Sequence, residues 1–147
     1  MADLAAFATL VPLDHGLVVV STSRADGSIQ SSVVNAGVLD HPVTGQPVVG
    51  LVAIGSSKRL TNLRARPRAT VVMRAAWRWA AVDGPTELAG PDDHLEGVDS
   101  EGLRLLLRGV FTAAGGTHDN WDEYDRVMAD ERRVAVLVHP QRTHGSG

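Results

Sequence analysis

The chain has 147 residues, of which 44% are hydrophobic and 21% charged, with a formal net charge of −3 and no Cys. That length matches one ordinary domain able to bury about two-thirds of its surface, so a single domain over 1–147 is expected. The composition excludes a disordered chain, a membrane-spanning helix, a disulfide framework and thiol chemistry.

The first residues, "MADLAAFATLVPLDHG", lack a basic segment and carry an acid at position 3, unlike a secretory signal, so a cytoplasmic location is expected. Residues 3 to 11 place Leu4, Phe7, Ala8 and Val11 at helical spacing, with Pro12 as the stop. A Val-rich run at 17 to 20, the turn Asp26-Gly27 and a second run at 29 to 38 predict a hairpin. Pro42, Gly45 and Pro47 mark a turn, after which the apolar run 48 to 54 predicts a buried strand. Gly55-Ser56-Ser57 ends it, and Ser56 or Ser57 can cap a helix over 58 to 66 that stops at Pro67.

"ATVVMR" and "WRWAAVDGPTELAG" read as two further strands, the second with Trp77, Trp79 and Ala81 on one alternating face. Such a pair normally packs inside a barrel, and it can also border a planar ligand. Leu103, Leu106, Leu107 and Val110 predict a helix over 99 to 113, and Trp121, Tyr124, Val127 and Met128 another over 119 to 130. "RVAVLVHP" is a last strand before a polar tail. Six strands, mostly hairpin-linked with helices inserted at two points, predict a mainly β fold with inserted α, a small antiparallel barrel rather than a βαβ sheet.

Charge is sorted by segment. No acid occurs between Asp40 and Asp83, an interval that holds Lys58, Arg59, Arg64, Arg66, Arg68, Arg74 and Arg78, while residues 83 to 131 carry thirteen of the seventeen acids. An acidic chain with one basic window fits a discrete phosphate or carboxylate ligand better than nucleic acid. Ser56, Ser57, Lys58 and Arg59 open a helix, where unpaired N–H groups and the dipole favour an anion. An ordinary Ser cap on a solvated helix is the alternative.

Other chemistry is sparse. Neither GxxxxGK[ST], GxGxxG nor GxSxG occurs. The six His form no HxH, HxxxH or HExxH spacing, so no metal site is expected. Asp92, Asp93, Glu96 and Asp99 read as solvating or capping carboxylates. Trp121 and Tyr124 read as core or interface residues. Arg132 and Arg133 follow the last helix, away from the basic turn.

"SSKRLTNLRARPRATVVMR", with "WRWAAVDGPTELAGPDD" and "FTAAGGTHDNWDEYDRVMADERRVAVLV", resembles the flavin/deazaflavin oxidoreductase B group of the pyridoxamine 5'-phosphate oxidase-like split β-barrel proteins, over about 15 to 142. The resemblance implies a homodimer of six-stranded split barrels with coenzyme F-420, an 8-hydroxy-5-deazaflavin, or FMN in a groove at the dimer interface. The family's phosphate signature is matched at Asn62, Leu63, Arg64, Pro67 and Arg68. Its usual Lys falls at Arg59, with Lys58 one residue earlier, and either cation can reach a phosphate. Val52 and Ile54 would lie beneath the flavin ring, Gln30, Ser31, Ser32 and Val33 along its polar edge, and Trp79 beside it. Arg64, Arg66, Arg68 and Arg78 would meet the acidic tail of F-420.

The resemblance makes the chain an oxidoreductase whose cofactor carries the hydride, so no catalytic side chain is expected. The substrate would be a small unsaturated or heteroaromatic molecule, held by the variable segments 91 to 99 and 139 onward. An FMN-dependent oxidase or reductase and a non-catalytic F-420 or flavin carrier are the alternatives. Thirteen Arg to one Lys is a high-GC bias that suits an actinobacterial host.

Overall fold

A computed structural model describes residues 3–146. Chain order is α1 (Ala5–Leu10), β1 (Leu17–Ser23), β2 (Ile29–Asp40), β3 (Pro47–Ala53), α2 (Lys58–Ala65), β4 (Arg68–Ala75), β5 (Arg78–Ala89), α3 (Ser100–Ala113), α4 (Trp121–Asp130), β6 (Val134–Val138) and β7 (Arg142–Gly145). Six strands close an antiparallel barrel in the order β4-β1-β2-β3-β6-β5, with β5 pairing back to β4. This is the split β-barrel expected from the sequence.

The split arises in the two long strands. The first part of β2 pairs with β1 up to Leu17–Asn35, and the rest pairs with β3 from Ala36–Leu51 onward. In the same way β5 pairs first with β4, through Arg68–Pro85, and then with β6, from Thr86–Val138. Each long strand therefore belongs to two sheets.

Alternation decides what each face packs against. Val49, Leu51 and Ala53 of β3 and Val134, Val136 and Val138 of β6 point into the barrel, where they join Val18, Val20, Val71 and Met73. Leu60 and Leu63 of α2 and Phe7 and Leu10 of α1 belong to the same core. The opposite faces of β3 and β6, with Val48, Ala135 and Leu137, carry a second core under α3 and α4 through Leu106, Leu107, Val110 and Tyr124. A Cβ at Gly37 would overlap the backbone of Ala113, so the missing side chain lets α3 lie directly on β2.

The outer face of the other sheet has no such cover. Val33, Val19, Val72 and Ala81 are cross-strand neighbours in one row, and Leu17, Val19, Ile29 and Val33 are exposed.

The sequence expectation fails at two places. Trp77 does not face the barrel interior: it sits in the β4–β5 turn beside Ala76, at φ 55°, and is 94% exposed. Trp79 does lie on β5 but on its outer face. The polar tail also contains a strand, β7, which pairs with Ala80–Asp83 of β5. All four of its residues are exposed, so no buried apolar face marked it in the sequence.

Candidate functional site

The turn from β3 into α2 is built as the sequence predicts. Ser57 is the N-cap, its hydroxyl accepting from Leu60 N at 3.4 Å. The N–H groups ahead of Leu60 in this first turn have no partner within the helix.

Arg59, in that turn, is half-buried and reaches β2. Its Nη2 donates to Ser32 Oγ at 2.9 Å and its Nε at 3.3 Å. Among the described residues no carboxylate pairs with it. Burial alone holds its guanidinium below the ordinary Arg value. A partly desolvated cation with only a neutral hydroxyl partner is electrostatically incomplete. Lys58 beside it is exposed and also lacks an acidic partner among the described residues. Two unneutralised cations at a helix N-terminus fit a phosphate group.

The remaining sequence-predicted site residues divide. Asn62 is buried and faces inward: Nδ2 donates to Thr22 Oγ1 at 3.1 Å and to Gln30 Oε1 at 2.9 Å. Asn62 and Gln30 therefore hold α2 against β1 and β2, and the Gln30 amide nitrogen remains to be offered outward. Ser56 and Ile54 are exposed beside the turn, Ile54 lying just past the end of β3.

Arg64, Arg68 and Trp79 depart from expectation. Arg64 forms a two-pronged pair with Asp93 at 2.9 and 2.7 Å. Arg68 donates to Asp83 at 3.1 Å and to Gln141 at 2.6 Å. Arg66 donates to the Ser23 carbonyl at 2.8 Å. A ligand would have to displace these partners, which lie 15 to 73 residues away in the sequence. Trp79 pairs with Arg74 of β4, and β4 and β1 separate its strand from β2, roughly 14 Å across the sheet. It packs on His144 and borders a cavity of about 200 Å³ with Phe7. This removes Trp79 from the Arg59 turn of its own chain.

A larger cavity of about 420 Å³ opens between the outer face of β3 and the two helices above it, lined by Val34, Asn35, Val52, Val110, Phe111 and Met128 among others. Arg133 also lines it, and the Gly55 N–H donates to the Glu131 carbonyl at 3.2 Å, so Arg132 and Arg133 follow a helix end that lies against the basic turn rather than away from it as the sequence suggested. Tyr124, beside it, donates to the Leu107 carbonyl at 2.9 Å, and burial pushes its hydroxyl up to about 12. Trp121 packs edge-on to Phe111 and Tyr124 with Arg108 over its ring at 5.2 Å. These aromatics hold α3 to α4. The segment 91 to 99 borders its own cavity, about 330 Å³.

His41, Glu87 and His139 meet at the other end of β2, an assembly no sequence spacing revealed. His41 Nε2 lies 2.9 Å and His139 Nε2 2.5 Å from the same Glu87 oxygen. His41 Nδ1 accepts from the backbone N–H of Val43 and Thr44 at 3.1 and 3.2 Å. The neutral His41 proton therefore sits on Nε2, which donates to Glu87 and has no lone pair left for a metal. Burial raises the Glu87 carboxyl, but the hydrogen bonds from His139 and His41 outweigh it and hold it below its ordinary 4.5. The trio is a hydrogen-bonded clamp joining the β2–β3 turn, β5 and the end of β6.

No protein-family model matches the chain. Among solved structures it is similar to a conserved hypothetical protein of Mycobacterium tuberculosis, with TM-score 0.68, 19% identity, and coverage of 99% of this chain and 84% of the other. A pyridoxamine 5'-phosphate oxidase-related, FMN-binding protein of Nostoc punctiforme gives 0.70 at 10% identity, covering 99% and 84%. A structure described as an F420 reductase gives 0.61 at 16% identity, covering 92% and 94%. At these identities the likeness is one of fold. No helix of the described residues is long and apolar enough to cross a membrane.

Proposed function

We propose that this chain is an oxidoreductase that binds a phosphate-bearing flavin-type cofactor, coenzyme F-420, and acts on a small unsaturated or heteroaromatic molecule in the cytoplasm. The observation that carries this reading is Arg59, a half-buried guanidinium whose only side-chain partner among the described residues is Ser32 Oγ. Lys58, Arg59 and the first N–H groups of α2 would hold the phosphate. Val52 and Ile54 would support the ring, and the Gln30 amide would meet its polar edge. When bound, such a cofactor supplies hydride transfer, so this chain's residues need only bind, orient and exclude water.

The cofactor groove is completed by a second copy of the chain. Leu17, Val19, Ile29 and Val33 expose an apolar row that no helix covers, while the opposite sheet is covered by α3 and α4. A two-fold partner on that row would supply the missing wall.

FMN is a second reading because Arg64 and Arg68, two of the four cations expected to meet the F-420 tail, are paired with Asp93 and Asp83. Titration with F-420 and FMN at low and high ionic strength decides between them. Tighter F-420 binding that weakens with salt is expected, since exposed charges are screened. FMN affinity equal to or above that of F-420 overturns the choice of cofactor, and failure to bind either overturns the reading.

A further inference from the structure

We propose that the cavity of about 420 Å³ between β3 and the α3–α4 pair is the substrate site, and that it selects a planar apolar ring system carrying one carboxylate. The inference rests on the oxidoreductase reading for its catalytic meaning, though not for the binding itself. Position comes first: Val52 lines the cavity, and Ile54, two residues on and just past the end of β3, opens the Ser57 turn, its carbonyl accepting from Ser57 N at 3.0 Å. A ring supported on Val52 and Ile54 would therefore border this cavity.

The walls define the chemistry. Val52, Val110, Phe111 and Met128 form an apolar slot, and the volume falls in the range of small-molecule sites. Three side chains bring polar atoms to it, of which the Tyr124 hydroxyl is spent on the Leu107 carbonyl. Arg133 is bound to Glu131 through Nε at 3.0 Å and Nη2 at 2.8 Å, which leaves Nη1 to donate. Asn35 spends one Nδ2 proton on the His15 carbonyl at 2.7 Å, which leaves the other to donate. Among the described residues no acidic side chain lines this cavity. Such a slot rewards an anionic acceptor on a flat hydrocarbon and penalises a cationic amine, which would meet Arg133.

The test uses the full-length protein without added cofactor, with 2-naphthoate, neutral 2-naphthol and cationic 2-naphthylmethylamine as probes in calorimetric titration. Saturable binding of one naphthoate per chain is expected, at least tenfold tighter than the amine. Arg133→Gln should weaken naphthoate about tenfold, the loss of one charge-assisted contact, and leave naphthol within twofold. Met128→Trp, which fills the slot, should abolish binding of both naphthoate and naphthol. Val127→Trp, exposed on the same helix, should not, and thermal melts show that each variant is folded. No naphthoate binding up to millimolar concentration, or unchanged binding in folded Arg133→Gln or Met128→Trp, overturns the proposal. Because the titrations need no cofactor, they succeed or fail independently of F-420 and FMN binding.

Discussion

Arg59 and Ser32 are 27 positions apart in sequence, yet the guanidinium of one donates twice to the hydroxyl of the other, at 2.9 and 3.3 Å. A hydroxyl provides orientation without charge, so the cation is held in place and left unneutralised.

Replacing Arg59 by Ala should therefore lower affinity for the phosphate-bearing cofactor by about tenfold or more, the value of one charge-assisted hydrogen bond. Stability should hardly move, because removing an unpaired, partly buried charge offsets the lost packing; a melting temperature within about 2 °C of the parent is expected. Lys58→Ala should give a smaller loss, and Arg126→Ala on α4 none. Cofactor titration and thermal melts on the three variants check this, and an Arg59→Ala protein with parental affinity would return the basic turn to simple solvation.

Asn62 behaves oppositely. Its amide ties α2 to Thr22 and Gln30, so Asn62→Ala leaves two acceptors without their donor and should cost about 2–3 kcal/mol. The shift is read from the denaturant midpoint at unchanged slope. An Asn62→Ala protein of parental stability that no longer bound cofactor would make this side chain a ligand contact, as its place in the signature implies.

Acid should loosen the far end of the barrel. The Glu87 carboxyl is held below 4.5 in the folded state, so the stability it contributes is fully present above about pH 4.5 and is lost as pH falls through the depressed folded value. Its side chain is 39% exposed, so the contribution is about 0.5–1 kcal/mol after solvent screening. Glu87→Gln should remove that acid-dependent part, and urea melts at pH 7 and pH 3.5 on both proteins show the difference narrowing. A difference that widened toward pH 3.5 would contradict the clamp.

The exposed row on the uncovered sheet predicts a dimer. Val33 is 63% exposed at its centre, and Val33→Asp would bury an unpaired carboxylate in any two-fold contact there. Light scattering at micromolar concentration should report a dimer for the parent chain and a monomer for the variant. A parent that is already monomeric refutes the assembly.

Much of this architecture was legible because its signals are local. Ser57 caps, Asp26-Gly27 turns, and Val49, Leu51 and Ala53 alternate within a few residues of one another. What the sequence hid depends on distant partners. Arg64 and Arg68 read as free cations because Asp93 and Asp83 lie 29 and 15 residues on. His41, Glu87 and His139 come from three separate segments. Trp77 followed the alternation of its neighbours, but the reversal at Ala76 put it in the turn.

The short stretch from Val52 at the end of β3 through Ile54 to the Ser57 turn also acts as a ruler. The count of residues from the cavity to the Ser57 turn fixes how far a bound molecule's ring can stand from its phosphate. One residue added between Val52 and that turn would lengthen the span by up to about 3.4 Å and shift the turn out of register with the cavity. The β3 end should therefore tolerate changes of side chain far more readily than changes of length, and cofactors with a longer or shorter link between ring and phosphate should lose their register with the cavity rather than their phosphate contact.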